Sequence, residues 1–296
     1  MPSDATPDAA GNMTADMAPD LTAGGTAGMT QPSRRPVPRG LGDPVLTVTG
    51  LTVRAGALPL VSDVSFTVTR GQRVGIIGAS GSGKTLTCMA IAGLLPPELT
   101  AAGSIRLAGF DRDMVRASER ALASVRGRLT GMVFQEPMTA LNPTMRVDRQ
   151  IAEAIRLHRR CPRAQLGTEV LALLEAVGLP DPPRIAHSFP HQLSGGQRQR
   201  IVIAVALANS PDLLICDEPT TALDVTVQAR VLDLIDERAA ATGAAVLFIS
   251  HNLAVVASLC DYLLVMWAGR IVEQGPVVEV LADPQHEHTR QLLAAL

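Results

Sequence analysis

The chain has 296 residues, of which 47% are hydrophobic, so it is long and apolar enough to bury a substantial core. Only 2% of the residues are aromatic, which argues against stacking platforms for nucleobases. With 26 Lys+Arg and 28 Asp+Glu residues the net charge is −2, and such a balance gives no general attraction to nucleic acid or to an anionic membrane. The composition therefore predicts a globular protein with an aliphatic core and no nucleic-acid partner.

The cysteines are too scattered for a metal site or a disulfide framework. They form no Cys-x-x-Cys pair or Cys/His cluster, and they are Cys88, Cys161, Cys216 and Cys260. This pattern favours a reducing compartment. No apolar stretch approaches the ~18 residues of a membrane-spanning helix, and the amino terminus lacks the basic-then-apolar pattern of a secretory signal. Any link to a membrane must therefore be made through partner proteins.

The first 42 residues have a composition unlike the rest of the chain. They are rich in Ala, Gly, Pro, Thr, Asp and Met and show neither helical nor strand periodicity. Such a segment cannot bury enough apolar surface to offset the entropy lost on ordering, so we predict a disordered tail. Met13, Met17 and Met29 leave two interpretations open, a functional tail or a start site assigned too early.

A β-rich region and a strand-loop-helix unit follow the tail. Residues 45–48 and 64–68 alternate apolar and polar side chains, which is typical of half-buried antiparallel strands. Residues 74–77 form a short apolar strand that runs into a glycine-rich loop, and the helix after this loop must stop before Pro96.

The residue pattern in the second half of the chain predicts a helical lobe, followed by alternating strands and helices. Residues 138–208 carry helical spacing, with Ile151 and Ile155 on one face and Gly178 as a helix end. Residues 213–216 and 246–249 are candidates for buried strands, separated by an amphipathic helix with Val227, Val231, Leu234 and Ile235 on one face. This alternation predicts a parallel sheet. Residues 262–273 predict two strands that turn at 268–269, before a short helical carboxyl terminus.

The glycine-rich loop matches G-x-x-x-x-G-K-[ST] in the strand-to-helix context that this motif requires. Its residues are Gly78, Ala79, Ser80, Gly81, Ser82, Gly83, Lys84 and Thr85. Without Cβ atoms the glycines let backbone N–H groups turn towards a phosphate at a helix N-terminus. We expect Lys84 to bind the β- and γ-phosphates of ATP and Thr85 to ligate Mg²⁺. The alternative, a glycine-rich turn without a ligand, does not explain the Lys-Thr pair that follows.

Two adjacent acidic residues follow a buried strand. Asp217 emerges at the carboxyl edge of the predicted sheet, where open α/β folds bind ligands, and is a candidate Mg²⁺ ligand. Glu218 is the candidate base that polarises the attacking water. Two buried acids side by side are costly without a cation or a proton. A strand that simply ends in solvated acids is common elsewhere, but it is the weaker interpretation in a chain with a phosphate loop.

A pentapeptide before an apolar helix resembles the signature of ABC ATPases. It consists of Leu193, Ser194, Gly195, Gly196 and Gln197. A serine and glycine amides at a helix N-terminus suit a second anion site, although Ser-Gly-Gly before a helix is also an ordinary capping turn. The resemblance implies that the bound γ-phosphate belongs to ATP on an opposing subunit, so hydrolysis would require a closed dimer.

The resemblance extends to three further positions and implies the fold. It assigns Gln135 to sensing Mg²⁺ and the γ-phosphate, residues 221–224 to a dimer contact, and His251 to the γ-phosphate and the catalytic water. It implies an α/β P-loop NTPase over residues 43–296, with an antiparallel β subdomain, a RecA-like parallel-sheet core and an inserted helical lobe at about 138–208. The implied cofactors are ATP and Mg²⁺.

One position departs from this family pattern. Members usually stack adenine on an aromatic residue near the opening strand, and residues 51–58 contain none. We expect Val53, Arg54 or Val61 to pack on the base instead, with modest discrimination between ATP and GTP.

Two longer segments are similar to the ATPases of bacterial oligopeptide, dipeptide and nickel importers. These are residues 134–143, FQEPMTALNP, and residues 286–295, which match H-P-Y-T-R-x-L-L-x-A except at Glu287 and His288. No cysteine cluster is present for the iron-sulfur site of some members. The resemblance implies an ATP-hydrolysing importer subunit for peptides or for nickel and other metal complexes, and the cargo stays open.

The same resemblance implies the partners and the location. They are two membrane permeases, a second and different ABC ATPase, and indirectly an extracytoplasmic solute-binding protein. A permease helix would dock in the groove around residues 135–147, with the chain peripheral on the cytoplasmic face of the membrane.

Two other functions share the phosphate chemistry. A non-transport ABC ATPase that acts on nucleic acid or the ribosome usually carries two cassettes, long coiled coils or zinc modules, none of which this sequence indicates. A regulatory subunit with an inactive site conflicts with intact Lys84, Asp217, Glu218 and His251.

Overall fold

The computed structural model describes residues 42–220 and 225–294. The predicted disordered tail therefore lies outside the described residues except for Gly42, and so does the predicted dimer-contact turn at 221–224. Within the two described ranges, no helix has both the length and the apolar character needed to cross a membrane.

The described residues form strands and helices that alternate over most of the chain. The strands are β1 (Pro44–Ala55), β2 (Leu58–Thr69), β3 (Arg73–Ile77), β4 (Leu99–Leu107), β5 (Thr130–Val133), β6 (Leu213–Asp217), β7 (Ala245–Ile249), β8 (Tyr262–Trp267) and β9 (Arg270–Pro276). The α-helices are α1 (Lys84–Ala92), α2 (Glu119–Ala123), α3 (Pro137–Ala140), α4 (Val147–His158), α5 (Arg163–Ala176), α6 (Pro182–His187), α7 (Gly195–Leu207), α8 (Val225–Thr242), α9 (Leu253–Leu259), α10 (Val277–Ala282) and α11 (Glu287–Ala294).

A three-stranded antiparallel sheet has the order β2-β1-β4. The strands predicted at 45–48 and 64–68 are confirmed as parts of β1 and β2. Strand β4 was not anticipated, because Gly103 interrupts its alternation of polar and apolar residues. Gly103 has a φ of +99°, and a Cβ there would lie 2.4 Å from the Gly50 carbonyl oxygen. Close approach to β1 therefore requires glycine at this position.

The six-stranded sheet has the order β5-β6-β7-β3-β8-β9. Its first five strands are parallel, and β9 runs antiparallel to β8. All residues of β6 and β7 are buried, as expected for a parallel sheet covered on both faces. The strands predicted at 74–77, 213–216 and 246–249, and the pair turning at 268–269, are confirmed. The four-residue strand β5 was too short to stand out in the sequence.

The two faces of this sheet pack against different layers. Leu214 and Cys216 of β6 join a core with helices α4 to α7, whereas Leu213 and Ile215 join a core with α1 and the antiparallel sheet. Helices α3 to α7 occupy the segment predicted to be helical, and Gly178 adopts a left-handed φ of +65° just after α5. All four cysteines are free thiols.

The sheet order positions the functional residues. Strands β5, β6, β7 and β3 are neighbours and parallel, so their carboxyl ends lie at one edge of the sheet. Asp217 ends β6, and the segments that follow these four strands carry Gln135, Glu218, His251 and the phosphate loop. Residues more than 170 positions apart in the sequence are thereby placed at a common edge.

Candidate nucleotide-binding and catalytic site

The phosphate loop between β3 and α1 depends on glycine for its backbone shape. Gly81 and Gly83 have φ values of +78° and +99°, in the region that favours glycine. At Gly78 a Cβ would lie 2.2 Å from the Met266 carbonyl oxygen, so the loop approaches β8 too closely for a side chain. The Ser82 side chain is buried, and its Oγ has no hydrogen-bond partner among the described residues. An anion in the loop would supply one.

Lys84, the first residue of α1, points its ammonium group back into this loop. Its side chain is buried, and Nζ donates hydrogen bonds to the carbonyl oxygens of Gly78 and Ala79, both at 2.9 Å. Burial lowers the pKa of Lys84, while Glu218 and Asp217 nearby act in the opposite direction. An ammonium group has three donors, so one N–H remains for an anionic ligand.

Asp217 and Thr85 meet across the sheet edge. The Thr85 hydroxyl donates to Asp217 Oδ1 at 3.3 Å, and Asp217 is only 5% exposed. Burial raises the pKa of Asp217, and the neighbouring Glu218 raises it further, against the opposing effects of Thr85 and Lys84. A buried carboxylate beside a hydroxyl oxygen fits Mg²⁺, which takes one or two protein oxygens and completes its shell with phosphates and water. The described residues contain no cluster of three His, Cys, Asp or Glu that could hold a metal ion.

Glu218 is the point where three sheet-edge segments meet. Its backbone has a left-handed φ of +46°, and its N–H donates to the Ile249 carbonyl of β7 at 3.1 Å. The carboxylate Oε2 lies 3.4 Å from Gln135 Nε2 and 3.1 Å from His251 Nδ1. Both neighbours can donate to it, His251 in the tautomer that is protonated at Nδ1. Strained backbone of this kind clusters at functional sites, and nothing in the sequence indicated it.

Ser194 lies at the N-cap of α7, and its visible contacts are those of a capping box. Ser194 Oγ accepts from the Gln197 N–H at 3.3 Å, and Gln197 Oε1 accepts from the Ser194 N–H at 3.0 Å. Among the described residues, no hydrogen bond joins this segment to Lys84, Asp217 or Glu218. The second anion site therefore stays a prediction that requires another subunit.

The prediction that three residues could pack on the nucleotide base is wrong for two of them. Val53 and Val61 are fully buried in the core beneath the antiparallel sheet, because they occupy inward-facing positions of their strands. Arg54 is exposed, with Nη1 bonded to the Ala57 carbonyl oxygen at 3.1 Å. It remains the candidate for contacting a base.

Sequence reasoning also missed the turn between β8 and β9 as part of the site. The Gly269 N–H donates to the Ser82 carbonyl oxygen at 3.1 Å, and Met266 contacts the loop at Gly78. The Ala-Gly pair indicated a hairpin, but no sequence pattern indicated what the hairpin touches.

A phosphate loop with a buried lysine, beside a hydroxyl-carboxylate pair and a carboxylate that contacts Gln135 and His251, is the arrangement of a P-loop ATPase site. The family model described as ABC transporter matches residues 61–221 of the chain. The oligopeptide transport ATP-binding protein OppD of Lactococcus lactis subsp. cremoris is 46% identical over 234 residues, covering 79% of this chain and 69% of OppD. A Brucella ovis protein named for peptide import ATP binding is 46% identical over 262 residues, covering 86% of this chain and 78% of that protein.

The fold agrees with these relationships. The dimeric ATP-binding cassette MJ0796, in a post-hydrolysis state bound to ADP and Pi, superimposes with a TM-score of 0.70 at 24% identity, covering 78% of this chain and 98% of that one. The chain belongs to the ABC transporter family, and it is an ATP-binding, ATP-hydrolysing subunit of that family.

Proposed function

We propose that this chain energises an ABC importer for peptides. The support comes from the two relatives named above for peptide transport, each of which aligns with most of this chain. Nickel and other metal complexes, the alternative cargo of the sequence resemblance, find no support in those two relatives. The reading as an ATPase that acts on nucleic acid or the ribosome finds none either.

In the proposed mechanism each residue at the sheet edge has one task. The loop amides and Lys84 would bind the phosphates, and Thr85, Asp217 and Gln135 would hold Mg²⁺. When bound, this ion neutralises part of the phosphate charge. Glu218 accepts a proton from the attacking water as the water oxygen bonds to the γ-phosphorus, while the bond from that phosphorus to the β,γ-bridging oxygen breaks and ADP leaves. The observation that carries the mechanism is the contact of the Glu218 carboxylate with both Gln135 and His251.

Gln135 also begins the segment that we propose contacts a permease. Downstream of it, Gln150 of α4 holds the loop by accepting from the Asn142 N–H at 2.9 Å and donating to the carbonyl oxygens of Asn142 and Met145. These bonds tie the connection between Gln135 and α4 to the helix. A permease that displaces the groove at residues 135–147 would therefore move Gln135, and Gln135 contacts the Glu218 side chain. Exposed Met138 provides an apolar contact within this groove.

The proposed assembly places the chain at the cytoplasmic face of the membrane, held there by two permeases. A second and different ABC ATPase would supply the opposing signature segment, and a solute-binding protein would deliver the peptide from outside. The signature segment supports the need for a second subunit, because Ser194 makes no hydrogen bond to the phosphate-loop side of the described chain.

The test is an affinity pull-down from native membranes with a Glu218→Gln chain and ATP. Removing the base should leave ATP bound and unhydrolysed, which favours the closed dimer. We expect two multispanning permeases and a second ATPase to be recovered. A Lys84→Ala chain, which lacks the phosphate ligand, serves as control and should recover less of the second ATPase. Recovery of ribosomes or DNA-repair proteins in place of permeases would overturn the transport proposal and leave the ATPase assignment intact.

A further inference from the structure

The turn between β8 and β9 is held between the phosphate loop and β2. The Gly269 N–H donates to the Ser82 carbonyl oxygen at 3.1 Å, and the Gly269 carbonyl oxygen accepts from the Ser62 N–H at 2.8 Å. Just before the turn, the Met266 carbonyl oxygen fills the space that a Cβ at Gly78 would occupy. The position of this turn therefore fixes part of the backbone that surrounds the phosphate site.

The turn has an unfavourable local conformation. Ala268 has a φ of +46° and Gly269 a φ of +78°, and alanine in the left-handed region is strained. A Cβ at Gly269 would also lie 2.5 Å from the Leu60 carbonyl oxygen. Since alanine does not favour this conformation, the pairing of β8 with β9 and the contacts from outside the turn together hold it.

Trp267, immediately before the turn, packs against the carboxyl-terminal helix. Its ring centroid lies 4.1 Å from that of His288 on α11, with the ring planes tilted by 35°. His288 is 7% exposed, and neither of its ring nitrogens has a hydrogen-bond partner among the described residues. The imidazole is thus used here as a flat ring that covers Trp267 rather than as a hydrogen-bonding group.

Helix α11 is itself fastened to the hairpin. Glu273 of β9 accepts hydrogen bonds from the backbone N–H groups of Gln285 and His286, at 2.7 and 3.0 Å, and from the Thr289 hydroxyl. The helix that carries His288 is therefore anchored to the strand that leaves the turn. An unbroken series of contacts leads from α11 through Trp267 to Ser82.

We propose that Trp267 and His288 are positioning residues through which the carboxyl-terminal helix sets the affinity of the phosphate loop for nucleotide. Without the ring contact, the β8–β9 turn leaves its position against Ser82 in a fraction of the chains. Only the remaining chains bind nucleotide with full strength, so the apparent affinity falls in proportion to their fraction. The catalytic step of nucleotide-bound chains is unaffected, because Glu218, Gln135 and His251 follow other strands. The proposal depends on the ATPase site and not on the transported cargo.

The test compares two variants of the full chain that both fill the space of the imidazole. His288→Leu keeps the volume but removes the ring, and we expect it to raise the Kd for a non-hydrolysable ATP analogue about fivefold. Its kcat at saturating ATP should change less than about twofold, so the effect is confined to Kd and KM. His288→Phe restores a ring and should bind the analogue as the wild type does.

Tryptophan fluorescence gives an independent measurement of the proposed coupling, because Trp267 is the only tryptophan of the sequence. Addition of the analogue should change its emission in the wild type and in His288→Phe, and less in His288→Leu. Gln291→Ala is the matched control. Gln291 lies on the exposed side of the same helix and bonds only Glu287 in the described structure, at 3.2 Å, so its removal should leave Kd unchanged.

Equal Kd values for His288→Leu and the wild type would overturn the proposal. A His288→Phe chain as weak as His288→Leu would do the same, since rescue by a ring is its central claim. Should His288→Leu fail to fold, Trp267→Leu with Trp267→Phe as its rescue asks the same question from the other side of the contact, and equal affinities within that pair would again contradict the proposal.

Discussion

At the scale of single residues, the buried carboxyl group of Asp217 lowers the free energy of unfolding of the nucleotide-free chain. Its pKa is raised, first by burial and then by the neighbouring Glu218. A raised pKa in the folded state means that the folded chain binds the proton more tightly than the unfolded chain. That stabilisation is complete below the unfolded pKa and is lost as the pH rises through the folded pKa. Above the folded pKa, the burial of this carboxyl group therefore favours unfolding.

We predict that Asp217→Asn raises the Tm of the nucleotide-free chain at pH 7. Each kcal/mol gained corresponds to about 2–4 °C for a domain of this size, and the gain should shrink as the pH falls towards the ordinary carboxyl pKa of about 3.9. The variant should also lose most of the extra stabilisation that Mg²⁺ gives in the presence of ATP. Thermal unfolding over a pH series measures both effects. Asp111→Asn, at an exposed position, is the control, and a lower Tm for Asp217→Asn would contradict the electrostatic argument.

At the scale of elements, the N-terminus of α7 has to serve two purposes. Ser194 caps the helix within the described chain, and it is also the residue predicted to contact a γ-phosphate from another subunit. Capping requires a short side-chain oxygen acceptor, whereas phosphate binding also requires the absence of negative charge. The two requirements can be separated by substitution.

We predict that Ser194→Asp keeps the helix cap and loses ATP hydrolysis. Aspartate caps about as well as serine and interacts favourably with the helix dipole, so the Tm should stay close to that of the wild type. Its charge would repel the phosphate, and ATPase activity of the assembled complex should fall at least about tenfold. Ser194→Asn, a neutral cap, is the matched control and should retain more activity. Full activity in Ser194→Asp would show that the segment is only a capping turn.

At the scale of the whole molecule, the site is divided between two surfaces that the described chain does not bring into hydrogen-bond contact. The phosphate loop and Glu218 lie at one edge of the sheet, whereas among the described residues the Ser194 side chain bonds only the Gln197 N–H. We infer that activity requires a second cassette and, following the importer resemblance, that this cassette is a different chain.

We predict that the purified chain hydrolyses ATP slowly and that its activity per chain does not rise with its own concentration. Adding the second ATPase recovered with the permeases should raise the activity at least about tenfold. A titration of phosphate release against each subunit makes the comparison, with a Lys84→Ala version of this chain as the inactive control. A steep rise of activity with the concentration of this chain alone would instead indicate a homodimer.

The sequence by itself determined most of the strands of the parallel sheet and the motifs in which the chemistry is predicted to lie. The Asp217-Glu218 pair could be placed because it lies at the end of a short apolar strand, and the Lys84-Thr85 pair because a glycine-rich loop links it to another; both patterns are local properties of the chain. The same locality explains why residues 138–208 could be recognised as helical. It also explains why β4 was missed, since Gly103 breaks its alternation of polar and apolar residues.

Only the tertiary structure decided which of these segments touch. It joined Glu218 to Gln135 and His251, buried Val53 and Val61 in the core, and set the β8–β9 turn against Ser82. These contacts follow from the strand order β5-β6-β7-β3-β8, in which neighbours in space are distant in sequence. Periodicity tells which side of a strand is apolar, but it carries no information about the next strand in the sheet. That order is fixed by how both faces of the sheet are covered and by the handedness of the helical connections between parallel strands.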